Sequence, residues 1–207
     1  MAPIPKSPVQ VRQAVIQAAT QYIKDHGLRS FTMDELAHSL RMSKRTLYQV
    51  FSDKEDLVVQ CFEANHKVRM ERVAEIMAGS EDVLDVILKV ITFEMQNFGD
   101  MRPATIDELQ KFPKVLALLD KHHQEQSTQG EHFFEKGVEQ GLFLPGIDYA
   151  IVDYMMHNMI SNATLDEKMR EVSFNQLFRH VALIYLRGCA SAKGQERIDA
   201  FLSTLPR

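Results

Sequence analysis

Cysteine is scarce in these 207 residues: Cys61 and Cys189 are the only two, and both fall in apolar helical patterns. Two such positions build no disulfide framework, so they read as buried free thiols in a reducing, cytoplasmic compartment. Long hydrophobic runs are missing as well. No stretch approaches the roughly 18 uninterrupted apolar residues of a membrane helix, and Met1 to Pro8 lacks the apolar centre of a secretory signal. The first fifty residues show no period-two alternation, and no convincing strand, internal repeat or low-complexity tract follows. There is no Gly-rich phosphate loop, Cys/His zinc cluster or nucleophile elbow. What remains is an all-α protein with 45% hydrophobic content, no membrane segment and no cofactor or metal expected.

Charge is present but unevenly placed. The formal net charge is −4, yet residues 1–70 carry 10 Lys/Arg against 7 Asp/Glu, and the remainder 14 against 21. A basic amino-terminal module joined to an acidic domain fits nucleic-acid binding by the first part only.

The informative stretch is Phe31 to Leu57. Thr32 and Glu35 are spaced as a capping box, after which Met33, Leu36, Ala37 and Leu40 repeat as one helical face. Arg41 and Met42 break that pattern, and Ser43 is a natural cap for a second helix with Leu47, Val50 and Phe51 on its buried side. Ser52 and Glu55 are spaced as a further box. Helix, tight turn, helix, opening on Ser43-Lys44-Arg45-Thr46, is the layout of a helix-turn-helix DNA reader.

The rest of the chain reads as helix throughout. Ser7-Pro8 opens a helix that stops at His26-Gly27, and Leu28 and Phe31 should close a small core. A long helix is expected from Asp53 to Ala78, with Gly79-Ser80 ending it and capping the next. Residues 83–98 are apolar on nearly every side, as in a centrally buried helix. A short piece from Thr105 to Lys111, a long helix to Gln140, and a turn through Pro145-Gly146 follow. Helices at 148–162, 173–189 (with a Ser173–Gln176 box) and about 195–205 complete nine or ten. The expected divisions are 1–52 for the DNA reader, 53–78 for a connecting helix and 79–207 for a larger bundle.

The motif resembles the DNA-binding domain of the tetracycline-repressor (TetR) family of bacterial transcription regulators. The matching residues are Phe31-Thr32, Met33–Leu40, Met42-Ser43-Lys44, Thr46-Leu47-Tyr48, Phe51 and Ser52 to Leu57. Two positions depart from the family pattern: Arg41 stands where Gly is common, and Arg45 where a small residue is common. A non-Gly at positive φ would be slightly strained.

The resemblance implies that helix 44–50 lies in the major groove of double-stranded operator DNA. Arg45 is then the candidate base reader, since a guanidinium engages guanine O6 and N7 together. Gln49, one turn on, pairs with adenine or approaches the backbone. Thr32, Ser43, Thr46, Tyr48 and Lys54 suit phosphates, Lys44 suits either role, and Tyr48 could equally be partly core. The second part resembles the family's effector-binding and dimerisation domain. Candidates for a homodimer interface are Tyr154, Met155, Phe178, Val181 and Tyr185. Candidates for lining a small-molecule effector pocket are Phe93, Met95, Phe98, Phe112, Met155, Met156 and Met159, with His122, His123 and His157 as polar contacts. Each could instead be plain core or surface.

Two rival classes remain. Glu35-x-x-His38 and Glu63-x-x-His66 superficially match the paired Glu-x-x-His of di-iron bundles, but Glu35 is better used as a capping acid, so an enzyme is not expected. A ligand-independent or protein-partnered regulator is not distinguished by sequence from a ligand-released repressor.

Overall fold

Caps and apolar spacing set the helices one at a time. The computed structural model describes residues 7–98, 108–165 and 172–205. Nine helices lie among the described residues: α1 Pro8–His26, α2 Met33–Ser39, α3 Lys44–Val50, α4 Lys54–Ala78, α5 Val83–Phe98, α6 Pro113–Glu139, α7 Tyr149–Leu165, α8 Phe174–Cys189 and α9 Ala192–Thr204. The all-α expectation holds: the only β pairing among these residues is an isolated antiparallel bridge between Phe143 and Ala190. No helix among them is long and apolar enough to cross a membrane. The expected helix from Thr105 falls mostly outside the described residues, as do the side chains of Phe98 and Phe178.

Ser7–Gln10 and Ser173–Gln176 form complete capping boxes, and Asp148 caps α7 by accepting the Ile151 N–H at 3.0 Å. Two helix starts differ from the sequence expectation. At α4 the cap is Asp53, which accepts the Asp56 N–H at 2.8 Å, while Asp56 reaches back to the Ser52 N–H at 3.0 Å. At α5 it is Asp82, accepting the Asp85 N–H at 2.9 Å. Ser80 instead donates its hydroxyl to Ile76 O. The cause is the same in both places: a carboxylate is a stronger, charge-assisted acceptor than a serine hydroxyl. The Asp56 amide holds the Asp53 carboxyl below its ordinary range, so this cap is complete at neutral pH and weakens only as pH falls through the carboxylate range.

Packing divides the chain into two units, one from the described residues of Met1–Glu71 and Asp107–Leu119, the other from those of Arg72–Ile106 and Asp120–Arg207. The first has a core of Val15 and Ala19 from α1, Leu28 and Phe31 from the loop, Leu36 and Ala37 from α2, Leu47 from α3, and Phe51, Leu57, Val58 and Cys61. Leu109 and Val115 complete it. Leu28 and Phe31 are fully buried, as their apolar character requires. Burying each such large side chain contributes about 1.5–3 kcal/mol. Cys61 is a buried free thiol, and burial pushes its pKa up to about 11, so it carries little reactive thiolate.

The second unit gathers Val83, Leu84 and Ile91 of α5, Leu142 and Phe143, Leu183, Leu186 and Cys189 of α8, and Ile198 of α9. Helix α5 is sunk as its pattern demands, with Lys89, Gln96 and Asn97 its only exposed side chains among those described. The 141–144 turn is laced to the α8–α9 junction. Leu144 N–H donates to Cys189 O at 2.9 Å, Ser191 N–H to Leu142 O at 3.0 Å, and the Ser191 hydroxyl to Gly141 O at 2.7 Å. Gly194 makes this approach possible, because a Cβ there would stand 2.2 Å from Leu142 O. Gly194→Ala is therefore expected to cost about 1–3 kcal/mol through forced backbone displacement, read as a lowered midpoint in thermal or urea unfolding.

Candidate nucleic-acid interface

Helix α2 begins where Thr32 accepts the Glu35 N–H at 3.2 Å. Only half of the expected capping box forms. The Glu35 carboxylate takes the Thr32 hydroxyl at 2.8 Å and the Tyr22 hydroxyl at 3.4 Å, which ties α2 to α1 and commits Glu35 to a structural place.

The turn to α3 is closed by the backbone alone. Met42 N–H donates to Ala37 O at 2.9 Å and Arg41 N–H to His38 O at 3.0 Å. These are the two hydrogen bonds of a Schellman turn, whose geometry puts Arg41 in the left-handed region. Its φ is 52°, and it is the non-glycine residue with positive φ among those described.

Helix α3 then presents two unlike sides. Leu47 is fully buried and Phe51, just past its end, is 1% exposed. Ser43 caps the helix by accepting the Thr46 N–H at 3.1 Å, with the two hydroxyl oxygens 2.8 Å apart. Lys44, Arg45, Tyr48 and Gln49 all face outward. Tyr48 is 51% exposed, so the ring is not part of the core. Arg45, Tyr48 and Gln49 make no hydrogen bond or ion pair with any described residue. Arg45 and Gln49 are four residues apart, one above the other on the helix surface. Lys44 meets Asp34 of α2 at 2.5 Å, with both side chains about 60% exposed. Such an open pair contributes on the order of 0–1 kcal/mol, so Lys44 is easily released to another anion.

Lys54 is placed differently. Its ammonium donates to Leu28 O at 3.0 Å and stands 5.4 Å and 5.5 Å from the ring centres of Phe31 and Phe112. Burial pulls its pKa below the ordinary lysine value, while Glu108 and Glu35 oppose the shift. Arg12 is a contributor the sequence did not reveal. Its guanidinium donates to Val50 O at 3.4 Å and lies 5.1 Å from the Phe51 ring centre. There it supplies positive charge to the carbonyl end of α3. On the polar side of α1 nothing but three-dimensional packing marks it out.

Residues 15–61, which hold α2, α3 and the turn between them, match the family described as bacterial regulatory proteins, tetR family. This part of the chain is a tetR-family DNA-binding domain. The family it is drawn from consists of DNA-binding transcriptional regulators. Among curated relatives, the HTH-type transcriptional regulator UidR of Escherichia coli (strain K12) is 22% identical over 175 residues, covering 81% of this chain and 89% of UidR. Among solved structures, a TetR-family regulator from Agrobacterium tumefaciens superposes with TM-score 0.70 at 17% identity, covering 89% and 100% of the two chains. A transcriptional regulator from Saccharomonospora viridis in complex with choline gives 0.65 at 15% identity, covering 95% and 97%. At these identities the structural likeness carries the fold.

The remaining candidate residues fall into three places. Phe112 packs with the core of the first unit. Phe93, Met95, His122, Met156 and Met159 are half-buried within the second. Tyr154 and Met155 are exposed on α7, 63% and 52%, and Val181 and Tyr185 are half-buried on α8. Among the described residues no three His, Cys, Asp or Glu side chains come together as a metal-ligand group, so the paired Glu-x-x-His resemblance has no geometric counterpart there.

Two substitutions test this local account. Arg41→Gly relieves a left-handed residue and is expected to stabilise the fold by up to about 1 kcal/mol, after allowing for the added freedom of the unfolded chain. Lys54→Ala leaves Leu28 O without its donor and is expected to cost about 1–3 kcal/mol. Chemical denaturation of the two variants beside the parent measures both.

Proposed function

We propose that the protein is a homodimeric repressor that binds a palindromic operator and is released from it by a small, largely apolar ligand. The observation that carries this reading is an outward α3 face on which the donors of Arg45, Tyr48 and Gln49 are unspent, in a chain that also exposes a row of large apolar side chains on α7 and α8. Arg45 reads a guanine, and Gln49 contacts the neighbouring base or backbone. Thr32, Ser43, Lys44, Thr46 and Tyr48 hold phosphates and so set register. Lys54 acts at one remove, by bracing the loop at Leu28 against the start of α4.

Dimerisation draws support from Ile151, Tyr154, Met155 and Ile184, which are 52–66% exposed. Helices α7 and α8 pack together, and the half-buried Val181 and Tyr185 extend the set along α8. A second copy of this surface would bury them and form a four-helix bundle, as the family resemblance implies. A two-fold dimer also suits DNA, since two recognition helices must stand about 34–36 Å apart to enter successive major grooves.

For the effector, the half-buried Phe93, Met95, Met156 and Met159, with His122, supply an apolar lining with one polar contact. Methionine adapts to irregular ligand shapes. The Saccharomonospora viridis regulator, of the same fold, was solved with choline, which supports a small-molecule site in this architecture. A ligand that prefers the released state about a hundredfold supplies roughly 2.7 kcal/mol per site to move the equilibrium.

Three measurements bear on this. Arg45→Ala is expected to lose about 1–3 kcal/mol on the preferred operator and relax one base position, whereas Lys44→Ala weakens all sequences alike. Unchanged sequence preference in Arg45→Ala would remove the base-reader assignment. Ile184→Glu is expected to convert the dimer to a monomer in light scattering. A gel shift on DNA from the protein's own locus, with and without cell metabolite extract, tests ligand release. A complex that survives every extract fraction would point instead to a ligand-independent or protein-partnered regulator.

A further inference from the structure

Helices α6 and α7 each carry an aspartate and a histidine one turn apart: Asp120 and His123 on α6, Asp153 and His157 on α7. The two imidazoles stack face to face, with ring centres 3.6 Å apart and planes inclined by 13°. Beside them, His123 Nε2 lies 3.8 Å from Asp153 Oδ2, too far for a hydrogen bond. That carboxylate oxygen is shut off from solvent and has no hydrogen-bond partner. A buried acceptor without a donor is costly, and here the nearest group able to become a charged donor is the His123 imidazole.

We propose that His123 and His157 form a proton-sensitive latch between α6 and α7, closed at neutral pH and opened when acid charges both rings. The first proton is accommodated: on His123 Nε2 it makes a cation facing the orphaned Asp153 oxygen, and the neutral His157 ring still stacks. The second is not, because two cations 3.6 Å apart repel strongly in a partly desolvated site. The charged groups acting on His157 come from both helices. His123 and Asp120 face it from α6 and Asp153 from its own helix. Lys121 and Glu125 of α6 are exposed and lie near one another, at 3.8 Å.

Burial draws the His157 pKa below the ordinary 6.5, His123 adds to that, and Asp153 and Asp120 oppose it. The linkage sign follows. A depressed folded-state pKa gives stability that is present above the unfolded value and lost as pH falls through the folded one. Because the rings interact directly, their protons leave in coupled steps rather than as two independent titrations. A proton, rather than a metal ion, is the natural occupant, since no ligand group of three converges among the described residues.

The test uses the full chain. NMR of ring-labelled histidines, titrated from about pH 8 to about pH 5, should show His157 with a midpoint below 6.5 and a curve that departs from a single-site titration. In His123→Gln the His157 midpoint should rise. Thermal melts should fall more steeply with acidification in the parent than in His157→Gln, by about 2 °C or more across the same range. Two independent, ordinary titrations, or parent and variant melting with the same pH profile, would overturn the latch. A Zn(II)-dependent rise in melting temperature that disappears in His157→Gln would overturn it in favour of a metal site.

Discussion

The outward side of α3 depends on the burial of Leu47. Helix α3 is seven residues long, far below the length at which a helix persists unaided in water. It exists because Leu47 is wedged into the core and Phe51 closes the far end, with Arg12 braced against the Val50 carbonyl. That single apolar anchor leaves the opposite side with no structural duty, and the duty-free positions are the ones occupied by Lys44, Arg45, Tyr48 and Gln49. Specific recognition is possible here because stability is supplied from the other side of the same helix.

The backbone turn before α3 is the second constraint. A Schellman closure demands a left-handed residue, and the chain meets that demand with Arg41 rather than glycine. The geometry is therefore bought with strain, offset by two backbone hydrogen bonds and by the burial of Ala37 and the partly buried Met42. A protein that tolerates this strain holds the angle between α2 and α3 through its main chain, so side chains along the turn stay free to vary.

Much of the fold was legible because its signals are local. Ser7, Ser43, Asp148 and Ser173 cap where their spacing says they should, and the helical periods of α2 and α3 name the buried faces correctly. The misplacements are also local in origin. At α4 and α5 a serine and an aspartate competed for the same orphan amides, and spacing alone does not rank them. What sequence could not show is the work of tertiary contacts. Lys54 looks like a surface cation until Leu28, Phe31 and Phe112 are folded around its ammonium, and Arg12 carries no pattern at all. The stacked histidines belong to the same class, since residues 34 apart in sequence meet only when α6 and α7 pack.

The Lys44–Asp34 pair has a consequence for how binding responds to ions. A lysine that enters DNA from water displaces a cation from the phosphate and adds to the salt dependence of affinity. Lys44 starts from an internal anion, so its transfer to a phosphate leaves Asp34 to recruit a cation of its own. The ion released at the DNA is largely taken up again at the protein. In the proposed complex Lys44 would thus serve as a contact while contributing little to ionic-strength sensitivity, and binding would respond less to salt than the count of basic residues suggests.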